Sequence, residues 1–139
     1  MAQTRIKYRS GYKYQLAEDY PVSVGIKPPK KVDTEFITLD LKGNLKIQKG
    51  YAWDGPSGPV VDQKENMRAS LVHDALYQLM RQRKISSKKF KNKADRLFKK
   101  MCIQDGIPKH IAQAYYLGLK IGGKPATKPE SRKKVHLAP

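Results

Sequence analysis

His73-Asp74-Ala75-Leu76-Tyr77 carries the residue types of this chain best suited to chemistry, and Ala94-Asp95 follows on a second helical stretch. A histidine and a tyrosine four residues apart lie on one face of a helix. Asp74 points about 100° away around the same helix. One short segment therefore presents an imidazole to one partner and a carboxylate to another. A metal-assisted hydrolase that activates water needs that division. The histidine takes the proton of the attacking water, a second carboxylate holds its far nitrogen, and the neighbouring aspartate binds a cation facing the developing oxyanion. Asp95 is the candidate second carboxylate. A half-buried His73 and Tyr77 at a helix edge beside a solvated Asp74 would give the same pattern without any chemistry.

The elements that must position these residues follow from patterning. Ile6, Tyr8, Tyr12, Tyr14 and Leu16 alternate with polar residues, as do Val22, Val24 and Ile26, so the first fifty residues read as β. Asp40-Leu41-Lys42-Gly43-Asn44 has hairpin-turn chemistry between Phe36–Leu39 and Leu45–Gln48. Lys27-Pro28-Pro29-Lys30-Lys31 is a break. Tyr51 to Pro59 holds two prolines and two glycines, which predicts a shaped loop. Such a loop either turns backbone carbonyls toward a hard cation such as calcium or simply links sheet to helix.

Asp62 and Glu65 have capping-box spacing and open a helix expected to run to about Arg83, with Val72, Leu76, Leu79 and Met80 as its apolar stripe. His73 sits on the shoulder of that stripe. Ser86 or Ser87 caps a second helix striped by Phe90, Ala94, Leu97, Phe98 and Met101, with Asp95 at its border. An antiparallel pair across the short link at Lys84-Ile85-Ser86 would bring Asp95 opposite His73 and Tyr77. Gly106 ends the second helix, and Pro108 starts a third with Ile111, Ala114, Tyr115, Leu117 and Leu119 on it. The expected fold is α+β: a small N-terminal antiparallel sheet, a helix pair, a third helix and a basic C-terminal arm. Its organisation is one domain over residues 1–122 (β-rich to 50, Gly/Pro loop 51–61, helical 62–122) and a basic tail over 123–139.

The chain has 139 residues and a formal net charge of +17. Residues 81–100 hold ten Lys or Arg and one acid, Asp95. Such a surface attracts polyanions: an anionic membrane, nucleic acid or an acidic protein. Arg81, Arg83, Lys84, Lys88, Lys89, Lys91, Lys99 and Lys100 are the candidate polyanion-binding residues. The single cysteine, Cys102, excludes an intramolecular disulfide framework, and with His73, His110 and His136 far apart in sequence it makes no zinc site. No apolar run follows the basic N-terminus, so no signal peptide is expected and the product is made in the host cytoplasm. No recognisable zinc finger or RNA-binding signature supports a plain nucleic-acid binder.

Residues 51–101 resemble the phospholipase A2 superfamily, and most of all the capsid-borne phospholipase domain of parvoviruses. The likeness rests on three stretches in order: Trp53-Asp54-Gly55-Pro56-Ser57-Gly58-Pro59, His73-Asp74-Ala75-Leu76-Tyr77, and Asn92-Lys93-Ala94-Asp95-Arg96-Leu97-Phe98. A second likeness runs from about Lys46 to Gly122, to an uncharacterised family of tailed phages and prophages with an Asp-Gly-x-Ser loop, His-Asp-x-Leu-Tyr and a later Ala-Asp. The first resemblance implies that His73 is the base acting on water against a phospholipid ester. Asp95 would then hold its tautomer with Tyr77 bonded to that carboxylate, and Asp74 would ligate calcium with carbonyls around Gly55 and Gly58. Asp54, Ser57 and Pro59 depart from that family's loop. The second implies a phage-associated product, carried in the virion. There it is either catalytic or a structural protein holding DNA, membrane or other virion proteins through its basic surface.

Overall fold

The computed structural model describes Ile6, Tyr8–Arg9, residues 14–53 and residues 63–128. These fall into two compact units dividing at residues 54 and 55, where the sequence alone suggests one domain continuing to residue 122. The Gly55–Gly58 loop, the Asp62 cap and the tail beyond residue 128 lie outside the described residues.

The first unit is all β. Strands β1 (Tyr8–Arg9), β2 (Tyr14–Leu16) and β7 (Ala52–Trp53) form an antiparallel sheet in the order β1-β2-β7. Strands β3 (Tyr20–Ser23), β4 (Val32–Asp33), β5 (Ile37–Leu39) and β6 (Asn44–Ile47) form a second in the order β3-β6-β5-β4. Pro21 is tolerated because β3 is an edge strand, where a missing donor costs no ladder bond. The period-2 pattern is visible in burial: Leu39, Leu45 and Ile47 are inside, while Lys46 faces out. The expected hairpin joins β5 to β6. Asp40 Oδ1 accepts from the backbone N–H of Lys42 and Asn44, both at 2.9 Å, and Gly43 takes φ of 86°. β4 has no counterpart in the sequence reading, because two residues after a Pro-Pro break are too few to show a period.

The second unit is helical. α1 (Lys64–Arg81) begins one residue later than a cap at Asp62 would place it, with Gln63 as the N-cap. There the backbone N–H of Gln63 donates to Asn66 Oδ1 at 3.0 Å. α2 (Ser87–Gln104) is capped by Ser86, whose hydroxyl accepts from Lys89 N–H at 3.1 Å. α3 (Lys109–Gly122) follows Pro108. α1 packs on α2 and α2 on α3. Leu71, Leu76, Leu79, Phe90, Phe98 and Met101 fill the interior. Arg68 ties the first turns of α1 to the end of α2 by a bidentate pair to Asp105, at 2.9 and 3.0 Å. The expected arm does not begin at residue 123. Gly123 is buried and Lys124–Thr127 forms a 3-10 turn packed on α1, with Thr127 inside. No helix among the described residues is long and apolar enough to cross a membrane.

Candidate functional site

The helix pair brings His73, Tyr77 and Asp95 together. His73 Nε2 lies 2.8 Å from Asp95 Oδ1, and the Tyr77 hydroxyl donates to the same oxygen at 2.6 Å. The i, i+4 spacing brings the His73 and Tyr77 rings into contact, with centroids 4.1 Å apart and planes tilted by 42°. Phe98, one turn beyond Asp95 on α2, closes the other side of the imidazole at 5.2 Å. Apolar neighbours on both helices thus hold the three polar groups in place. Asp95 is 0% exposed and His73 6%.

A third donor completes the carboxylate. Lys91 Nζ lies 2.7 Å from Asp95 Oδ2 and 2.9 Å from the carbonyl of Leu119. Burial is the strongest influence on Asp95 and opposes its ionisation. The bonds from His73, Lys91 and Tyr77 together outweigh it and hold the carboxyl below the usual carboxylate range. Burial, followed by the bond to Asp95, pushes the Tyr77 hydroxyl far above its ordinary value, so it remains a donor. With Asp95 ionised, Nε2 carries the proton and donates it. In the neutral imidazole this bond places the lone pair on Nδ1, the tautomer a general base requires.

The other expected residues divide. Asp74 is half-buried on α1, about 100° around from His73. Gly55 and Gly58, its expected partners around calcium, lie outside the described residues. Among the described residues no three His, Cys, Asp or Glu side chains gather into a metal site. Cys102 is buried, and burial pushes its thiol up to about 12, which makes it an inert packing group.

The polyanion set needs correction. Arg83, Lys84, Lys88, Lys89 and Lys100 are exposed as expected. Arg81 is buried at 3% exposure, because it sits in the last turn of α1 on the side facing the interior. Lys91 belongs to the Asp95 network. Lys99 is half-buried, with its ammonium on Gln113 Oε1 and over the Tyr116 ring. Lys91 was missed because a basic run reads as a solvated face. Its i, i+4 spacing to Asp95 is the signal that identifies it.

No curated protein and no solved structure matches the chain. One family model does, over residues 31–119, a span that includes the β hairpin, α1, α2 and nearly all of α3. The residues joined at Asp95 all fall inside the matched span. On this match the chain is a member of the family described as "Protein of unknown function (DUF1353)".

Proposed function

We propose that the chain is a phage-associated, phospholipase-A2-like hydrolase cleaving phospholipid esters at an anionic surface. The observation that carries the reading is the His73–Asp95–Tyr77 constellation on two packed helices, with Nε2 committed to Asp95. In the proposed reaction a water oxygen attacks the ester carbonyl while Nδ1 of His73 takes its proton. Asp95 stabilises the resulting imidazolium. The imidazolium then returns the proton to the departing alkoxide as the tetrahedral intermediate collapses, giving a fatty acid and a lysophospholipid. Phe98 and Tyr77 keep bulk water from the imidazole, which strengthens the bond to Asp95. In this reading Asp74 would ligate calcium together with backbone carbonyls around Gly55 and Gly58, and the cation would polarise the ester carbonyl.

One observation favours a second reading, a non-catalytic virion protein. Lys91 shares the Asp95 charge and reaches α3, so the same residues also serve as a polar tie between three helices. Fatty-acid release from phospholipid vesicles, with calcium and with chelator, separates the two. Hydrolysis predicts release that His73→Ala abolishes. Asp95→Asn should lower it by about four orders of magnitude, as a mis-set tautomer does in comparable hydrolases. Absence of release by the wild type under both conditions, with His73→Ala costing only stability, ends the hydrolase reading in favour of the tie.

A further inference from the structure

α2 and α3 border an open depression of about 580 Å³, lined by Arg96, Lys99, Lys100 and Ile103 on one side and by Gln113 and Tyr116 on the other. Its charge is unbalanced. The only acids of residues 86–128 are Asp95, which is buried, and Asp105, which is held by Arg68. Lys109, Lys120 and Lys124 add exposed cations on α3 and the turn after it. The exposed Arg96 and Lys100 therefore give the groove a positive rim that attracts a phosphate-bearing anion.

The α3 wall has a second property. Ala112 and Leu119 are buried and Tyr115 packs against Phe98, so the helix is anchored by one side. On the side away from that anchor, Ile111 is 37% exposed, Leu117 46% and Ile121 86%. With Ala114 these residues recur every three or four positions and form one continuous apolar stripe. Leu117 lies one turn beyond Gln113, so the stripe starts where the cationic groove ends. A nucleic-acid backbone would satisfy the groove and leave the stripe in water. An anionic bilayer satisfies both, with headgroup phosphates in the groove and the stripe in the acyl boundary.

We infer that the α2–α3 face is the surface by which this protein docks on an anionic phospholipid bilayer, Leu117 and Ile121 inserting beside headgroups held by Arg96 and Lys100. The choice of a lipid partner extends the proposed function. The docking surface is defined by residues outside the His73 network.

The test is flotation of the full chain with phosphatidylcholine vesicles, with and without phosphatidylglycerol, beside a duplex-DNA binding assay. The wild type should float only with the anionic vesicles. Leu117→Asp combined with Ile121→Asp should lower vesicle affinity by at least about tenfold, since two apolar side chains lose their burial, and leave DNA affinity no stronger. Arg96→Glu with Lys100→Glu should lower both. Ile121→Trp, which keeps the stripe, should gain a blue-shifted emission component with anionic vesicles alone and covers the case of a misfolded Asp variant. Unchanged vesicle affinity in the Asp pair, or no emission shift in Ile121→Trp, overturns the docking surface. DNA binding that loses nothing with the stripe while vesicles fail to bind assigns the groove to nucleic acid instead. Hydrolysis of a dispersed short-chain phospholipid reports on His73 separately. Vesicle docking without hydrolysis removes only the hydrolase reading, and hydrolysis without docking removes only this inference.

Discussion

Three donors converge on the Asp95 carboxylate, and their energetics differ. The Tyr77 hydroxyl is a neutral donor to an ionised acceptor, worth about 1.5–3 kcal/mol. Tyr77→Phe keeps the ring on His73 and removes only this bond, so urea unfolding should show a loss in that range. Asp95→Asn should cost more, because it leaves the largely buried Lys91 ammonium without its counter-charge. The pH dependence follows from the lowered carboxyl of Asp95. In the unfolded chain an aspartate titrates near about 3.9, and the folded value lies beneath it. The network's contribution is thus complete above about pH 4 and is lost as pH falls through the lower folded value. Unfolding free energies measured down an acid series should fall less steeply for Asp95→Asn than for wild type. Equal slopes would mean that Asp95 is not the carboxylate governing acid stability. His73, Tyr77 and Asp95 could be paired from sequence because helical period and an antiparallel link fix which residues face each other. The i, i+4 spacing of Lys91 to Asp95 was also legible, but its second contact, to the Leu119 carbonyl, was not, since that depends on where α3 ends.

The ends of the helices show where local sequence and structure part. α1 stops at Gln82 and Arg83 takes φ of 59°, the left-handed position usually given to glycine. Arg83 N–H donates to Met80 O at 3.0 Å and Lys84 N–H to Leu79 O at 2.8 Å, which completes a Schellman cap. An arginine at that position gives no sign of the stop, so the sequence pattern located the link but not its geometry. Arg83→Gly should stabilise the fold by about 1 kcal/mol by relieving the left-handed strain. Gly123 is the opposite case. A Cβ there would stand 2.6 Å from Leu119 O and 2.7 Å from the Tyr77 hydroxyl, so α3 and the following turn close on the site only because the residue is glycine. Gly123→Ala should destabilise by about 1–3 kcal/mol, and it should shift the Tyr77 and His73 NMR signals as well as lower Tm. A lower Tm with those signals unmoved would place the strain elsewhere. Two adjacent glycines after a helix read as the start of a tail, whereas the tight approach that requires Gly123 exists only once the turn after α3 has packed on α1.

At the scale of the whole chain, composition makes the molecule strongly cationic and burial decides which cations remain at its surface. Of the basic residues at 81–100, Arg81 and Lys91 are taken into the helical unit, while Lys88, Lys89, Lys93, Arg96 and Lys100 remain exposed. Alternation and helical period were enough to place an antiparallel β part ahead of three helices. They could not show the split into two compact units, which depends on contacts rather than on periods. Binding to a polyanion releases counterions in proportion to the phosphates contacted, so affinity should fall steeply with salt, by a log–log slope of about 0.9 per contact on duplex DNA. Arg96→Gln and Lys100→Gln should each reduce that slope by about 1, because both side chains reach solvent. Lys91→Met should leave the slope unchanged in preparations shown to be folded, because its ammonium is already committed to Asp95 and Leu119. Titrations of the three variants at a series of salt concentrations decide the matter. A slope that falls with Lys91→Met but not with Arg96→Gln would mean that the Asp95 network opens on binding and releases its lysine to the partner.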